Sequence, residues 1–273
     1  MSGLDAPSIA LVGAGALGGA LVRGWIGALR KGGGLTLTVV EPNFDPELAQ
    51  ELESAGATLN PPDPGPVDVL VLAVKPQAFL QAAEAARGFV GPDTRVLSVM
   101  AGIPMETLSN ALGAQRVIRS MPNTPARIGR GVTAYVASPG CTAEDRALIE
   151  QLLEPLGTVE ALSAERLMDV VTAVSGSGPA YVFLLAEVLA AAAEQEGLDK
   201  ETAMRLASQT VAGAGALMLE TGETPGALRK QVTSPGGTTE AALDVLTSAD
   251  GLAPLLRRAV SAAAQRSRDL GKR

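Results

Sequence analysis

The sequence predicts a parallel α/β domain over residues 1–163 followed by an all-α domain over residues 164–273. Three observations carry this. Short β-branched runs alternate with helical patterns up to about residue 163, as strands joined by crossover helices do. A glycine-rich stretch closes the first of those runs and opens a helix. Beyond Ser163 the strand patterns stop, and helical spacing continues almost to the end. A length of 273 residues suits two ordinary domains.

Ser8–Val12 reads as the first strand, 16–30 as a helix, and Lys31-Gly32-Gly33-Gly34 as its breaker. Strand 35–40 follows, then helix 46–55 ended by Gly56, a short strand at Thr58–Leu59, and a proline-rich loop at 61–66. The run 67–74 is near-continuously apolar, as a strand buried on both faces should be, and Lys75-Pro76 stops it. Helix 77–87, strand 95–100, helix 104–112 and strand Arg116–Met121 come next. Strands at 132–137 and 158–162 flank a helix at 142–156. The second half reads as helices at 165–173 and 180–196, which together could form one interrupted helix. Further helices follow at 200–220, 225–232, 238–247 and 253–270. Gly197, Gly222 and Gly251 stand where helix C-caps are expected.

Composition excludes several functions. Apolar residues make up 47% of the chain and aromatics only 3%, so close packing of small side chains is expected. A net charge of −7 without a basic block argues against nucleic acid as a partner. The single Cys141 cannot form an internal disulfide, and the segment before the first strand lacks the basic and apolar regions of a signal peptide. A cytoplasmic location is therefore expected. No uninterrupted apolar stretch approaches the ~20 residues of a membrane span. VVTAV and YVFLLAEVLAAAA are separated by SGSGP, and Glu187 interrupts the second. The chain contains no histidine, which removes His-based acid–base chemistry and the common zinc sites; no metal is expected. Hydride transfer suits what remains, because a cofactor carries the difficult step.

The glycine-rich stretch is Gly13-Ala14-Gly15-Ala16-Leu17-Gly18. Gly13 permits a tight turn, Gly15 lets the backbone approach a pyrophosphate, and Gly18 lets the helix pack on the sheet. The amides at Ala16 and Leu17 and the helix dipole then face the anion. Glu41 ends the second strand. It either accepts hydrogen bonds from the adenosine ribose hydroxyls and repels a 2′-phosphate, or points to solvent before Pro42. Lys75 is the only basic residue from 40 to 86, so charge alone favours NADH over NADPH.

Four segments together resemble the pyrroline-5-carboxylate reductase family: GAGALGGALVRGW from Gly13, AVKPQ at 73–77, RSMPNTPARIGRG at 119–131, and VSGSGPAYVF with PGALRKQVTSPGGTTEAALDVL in the helical half. The resemblance implies a Rossmann domain binding NAD(P)H and a helical domain forming an interlocked homodimer. The active site would lie between them, and dimers often assemble into decamers. It implies hydride transfer to the imine carbon of 1-pyrroline-5-carboxylate, giving L-proline. By this resemblance Ala73, Val74, Lys75 and Pro76, with Met121, Asn123 and Thr124, line the dinucleotide crevice. Asn123 lies on the nicotinamide side; on residue type alone it reads equally as a turn residue. Ser175 and Ser177 approach cofactor and substrate, although 175–179 also reads as a helix kink. Ser234, Gly236, Gly237, Thr238 and Thr239 hold the substrate. Their amides form a carboxylate site at a helix N-terminus, where Thr238 or Thr239 would also serve as N-cap. Thr239 is the expected catalytic or orienting hydroxyl near the ring nitrogen, with Ser175 as its companion. The family often has small polar or basic residues after strand two. Glu-Pro-Asn-Phe-Asp stands here instead, which leans the cofactor toward NADH.

Alternatives stay open. A six-membered cyclic imine differs by one methylene, worth only ~1–3 kcal/mol. A non-catalytic NAD(H)-binding regulator would share the fold. A β-hydroxyacid dehydrogenase would need a lysine on the first long helix of the second domain, and 165–196 contains none.

Overall fold

The computed structural model describes residues 7–29 and 34–271. The residues before Pro7 that entered the signal-peptide reading, the helix end at Arg30 and the breaker Lys31-Gly32-Gly33 lie outside the described residues. The chain divides into two compact units, Met1–Gly176 with Ala264–Arg273, and Ser177–Ala263. The change of texture at residue 163 therefore precedes the break in compactness, because Glu165 and Asp169 are hydrogen-bonded into the first unit.

The first unit is built on β1 (Ser8–Val12), β2 (Thr36–Val40), β3 (Thr58–Leu59), β4 (Val69–Leu72), β5 (Arg95–Ser98), β6 (Arg116–Met121), β7 (Gly131–Ala137) and β8 (Gly157–Ala161). They form one sheet in the order β3-β2-β1-β4-β5-β6-β7-β8. All neighbours are parallel except β6 and β7. The sequence predicted parallel strands throughout. β7 reverses because only residues 122–130 connect it to β6, too few for a crossover helix.

Helices α1 (Ala16–Leu29), α2 (Pro46–Ser54), α3 (Phe79–Ala86), α4 (Met105–Leu112) and α5 (Ala143–Leu153) cover the sheet. Alternate residues of the central strands feed two buried clusters. Leu11, Val71, Leu97 and Ile118 belong to one, with Trp25 of α1 and Leu153 of α5. Ala10, Leu70, Leu72 and Val117 belong to the other, with Phe79 of α3 and Leu108 of α4. Trp25 donates its indole N–H to the Leu152 carbonyl (2.8 Å), joining α1 to α5. Helix α5 starts on a capping box in which Thr142 and Asp145 serve each other's backbone N–H groups.

From Glu165 to Gln195 the chain is helical without a strand: a 3₁₀ turn, α6 (Met168–Val171), a π-helical turn at Thr172–Gly176, and α7 (Gly178–Gln195). The interrupted helix of the sequence is thus one run with a π-turn at its interruption. By length and composition this run could cross a membrane. The sequence reading had split it at SGSGP.

In the second unit α7 is followed by α8 (Lys200–Thr221), α9 (Pro225–Gln231), α10 (Thr238–Leu246) and the start of α11 (Leu252–Leu270). Gly222 ends α8 in the left-handed conformation, as expected. Gly251 does not act as a C-cap, because α10 ends on Thr247. Gly251 lies just before α11, where a Cβ would meet the Leu246 carbonyl oxygen at 2.4 Å.

Candidate active site

The carboxyl ends of β1, β2, β4 and β6 meet along one edge of the sheet, and strand order reverses between β1 and β4. Open α/β sheets bind ligands at such a switch point. The β1–α1 turn is shaped for this. Gly13 adopts φ 97, and a Cβ there would lie 2.8 Å from the Ala73 carbonyl. A Cβ on Gly18 would lie 2.0 Å from the Gly13 oxygen. Gly15 is different: nothing stands within 4 Å of where its Cβ would be. Two glycines let the chain pack on itself, and the third leaves open space at the first turn of α1. That is the form a pyrophosphate needs. Ala16 and Leu17 form that first turn.

Glu41 does not point away into solvent. Its carboxylate accepts the Ala14 N–H (2.9 Å) with one oxygen and the Asn43 N–H (3.0 Å) with the other. A residue absent from the sequence reading fixes it there. Asn60 takes a left-handed conformation (φ 44), and its carboxamide grips the Glu41 backbone at both N–H and C=O, each at 2.9 Å. Asparagine tolerates this region better than most residues, which is the only signal the sequence offered. A cavity of about 580 Å³ opens beside Ala14, Gly15 and Glu41. Arg23, Asp45, Glu47 and Arg127 line it further. Arg23 is paired with Glu51 (3.1 Å).

Ala73 extends the β4 ladder by donating its N–H to Val12 (2.8 Å), and Val74, Lys75 and Pro76 follow in the turn leading to α3. Lys75 is exposed. On β6, Met121 ends the strand and Thr124 begins a 3₁₀ turn. The Asn123 side-chain oxygen accepts the Val132 N–H (3.0 Å), so this residue ties the turn to β7. Among the described residues its Nδ2 has no partner and remains available as a donor. Gly176 packs on Met121: a Cβ there would be 2.8 Å from the methionine methyl carbon. The structure thus brings the π-turn carrying Ser175 to the end of β6. Ser175 donates its hydroxyl to the Val171 carbonyl (3.0 Å), leaving its oxygen as an acceptor.

The remaining expected residues lie in the second unit. Ser177 precedes α7 and receives the Ala180 N–H on its carbonyl (3.0 Å). Ser234, Gly236 and Gly237 form the turn into α10, with Gly236 at φ 72 and the Gly237 N–H bonded to the Ser234 carbonyl (3.0 Å). The N-cap of α10 is Gly237, not Thr238 or Thr239, because both threonines already have helical backbone. The α10 ladder begins with the Ala241 N–H on Gly237 (3.2 Å), so the amides of Thr238 and Thr239 stand in the unsatisfied first turn. Glu240 folds back and accepts the Gly236 N–H (2.7 Å), so a carboxylate already occupies one amide of this turn. Thr238 is exposed and Thr239 half-buried.

Cys141 lies apart from all of this. It is buried near Ser138 and Val117, and burial pushes its thiol pKa up.

The family description "Pyrroline-5-carboxylate reductase dimerisation" matches residues 165–270. A pyrroline-5-carboxylate reductase of Pseudomonas aeruginosa is 39% identical over 98% of this chain and 98% of its own length. One from Methanosarcina acetivorans is 36% identical over 99% of this chain and 100% of its own. A solved structure of a pyrroline-5-carboxylate reductase from Coxiella burnetii matches with a TM-score of 0.88 at 35% identity, covering 98% of this chain and 100% of that one.

Proposed function

This chain belongs to the pyrroline-5-carboxylate reductase family, and from that premise we propose that it reduces the cyclic imine 1-pyrroline-5-carboxylate to L-proline with a reduced nicotinamide dinucleotide. The observation that carries the reading is kinship over nearly the whole length of both chains, covering the glycine turn and the α10 turn alike. When bound, the dinucleotide supplies the hydride.

The chain's own residues hold and orient. Gly13, Gly15, Ala16, Leu17 and Gly18 hold the pyrophosphate on the α1 N-terminus, with Ala73 to Pro76 alongside. Met121, Asn123 and Thr124 receive the nicotinamide end, the Asn123 amide N–H₂ acting as donor. The amides around Gly236 to Thr239 hold the substrate carboxylate, with Ser234 shaping the turn. Glu240 must release the Gly236 N–H for this, which puts a carboxylate–carboxylate exchange at the entry of substrate. Thr239 orients the proton at the imine nitrogen, and the Ser175 and Ser177 oxygens serve as acceptors. A hydroxyl is a weak acid, so positioning supplies most of the rate, on the order of 7–11 kcal/mol.

Glu41 leans the cofactor toward NADH. Its carboxylate lies on the glycine turn, where ribose hydroxyls find an acceptor and a 2′-phosphate finds like charge. The exposed apolar side chains of α7, including Phe183 and Leu184, are covered by a second copy of the chain rather than by lipid.

The test is absorbance of the reduced nicotinamide with pyrroline-5-carboxylate, run with NADH and NADPH in parallel on wild type and Glu41→Ser. Substrate-dependent oxidation with higher kcat/KM for NADH is expected, and Glu41→Ser should narrow the gap by about tenfold, the order of one lost hydrogen-bonded charge. Oxidation with neither cofactor would refute the reaction, and a wild-type preference for NADPH would refute the role of Glu41.

A further inference from the structure

A charged residue stands in the middle of an apolar strand. β6 reads RVIRSM, and Arg119 is 9% exposed between Ile118 and Ser120. Burying a guanidinium is costly unless it is paired, and its partner is 46 positions away in the chain. Arg119 Nη1 donates to Glu165 Oε1 at 2.9 Å. The same oxygen accepts the Met105 N–H at the start of α4, also at 2.9 Å. Glu165 is therefore fixed by a strand and a helix start together.

What Glu165 fixes is the beginning of the run that ends in the π-turn. Arg119 and Met121 lie on the same face of β6, two residues apart. Glu165 meets the first, and Gly176 packs on the second. A third tie lies between: Asp169 accepts the Ser267 hydroxyl at 2.6 Å, and Ser267 is 8% exposed. The ordinary helical ladder then gives way to a π-turn at Thr172–Gly176, and such turns are frequent at functional sites. An insertion of this kind shifts everything beyond it, so its start has to be anchored for its end to be accurate.

We infer that Glu165, held by Arg119, is a positioning residue that sets the π-turn carrying Ser175 against the end of β6. This rests on the proposed reductase activity, because Ser175 and the β6 end are placed there in that reaction. A misplacement of about 1 Å remote from the chemistry can cost about 100-fold in rate.

The test uses the full-length protein and Glu165→Ala, with Glu165→Gln as the conservative variant, since a carboxamide keeps an acceptor for both donors. Asp145→Asn, in the ion cluster at the opposite edge of the sheet, serves as a destabilised control. In Glu165→Ala, kcat should fall 10- to 100-fold with dinucleotide Kd within twofold, and amide exchange at 172–176 should accelerate at least tenfold without substrate. Glu165→Gln should recover at least a third of kcat. Asp145→Asn should lower the melting temperature and leave kcat within twofold. Unchanged exchange at 172–176 in Glu165→Ala overturns the inference. So does kcat within twofold of wild type, or a loss of dinucleotide binding equal to the loss of kcat. Exchange is read without substrate, so a wild type that reduces no pyrroline-5-carboxylate refutes the reaction, and the exchange result still decides the role of Glu165.

Discussion

The two units bury apolar side chains to very different extents. In the first, Leu11, Leu70, Leu97 and Ile118 are fully buried, and clusters fill both faces of the sheet. In the second, the buried cluster is three alanines, Ala190, Ala203 and Ala207. Phe183 stays 63% exposed there, Leu219 77% and Val245 70%. Each such side chain forgoes the larger part of the roughly 1.5–3 kcal/mol that full burial would give. The difference teaches that the first unit fills its own cores, whereas the second leaves a broad apolar surface that another surface could cover. The dimerisation region matched at 165–270 supplies the natural candidate, a second copy.

Substitutions can break or sharpen this contrast. The largest effect belongs to the face of α7. Phe183→Asp with Leu184→Asp should weaken self-association at least about 1,000-fold, the sum of two hot-spot losses. Sedimentation velocity would show it, with the β-sheet signal in circular dichroism retained. Leu70→Ala strikes the other unit. It should cost about 3 kcal/mol in denaturant unfolding and leave the association state unchanged.

A third, smaller effect concerns the cluster where β5 and β6 begin. Asp145 is fully buried and bonded to Arg95, with Arg116 3.6 Å away. Burial would raise its pKa, but the Thr142 backbone N–H and the two guanidiniums outweigh it and hold it below the ordinary value of 3.8. A lowered folded-state pKa means stability that is fully present above that ordinary value and lost as pH falls through the lowered one. Asp145→Asn should therefore cost about 2 kcal/mol at neutral pH and flatten the loss of stability below about pH 4, measured by thermal melts across pH. Asp68, also lowered by its bonds to Ser8, would leave a residual slope. The smallest effect is Asn60→Ala, which frees the backbone of Glu41. About 1 kcal/mol is expected, read as a severalfold rise in the KM for NADH with kcat unchanged.

Much of the first unit was legible in the sequence because its signals are local. An apolar run such as VLVL and a glycine turn after Val12 need no knowledge of what lies across the sheet. The α1 turn and the strand end at Met121 are placed for that reason, and the run 67–74 contains β4 with two residues beyond it at each end. What escaped depends on partners remote in sequence. Asn60 acts on Glu41, 19 residues earlier, and Arg119 on Glu165. The reversal of β7 lies in a link length rather than in a pattern. In the α10 turn, threonines are good caps in general. Here Gly237 has the extended backbone the cap needs, and Thr238 and Thr239 follow as helical residues.

We propose that the first unit holds the dinucleotide alone, while turnover also needs a second copy of the chain on the helical unit. A dilution series of the wild type, with NADH fluorescence binding, turnover per chain and association state recorded on the same samples, tests it directly. Binding should hold constant through dissociation, and turnover per chain should fall in step with the loss of dimer. Full turnover per chain from a demonstrated monomer would contradict the account.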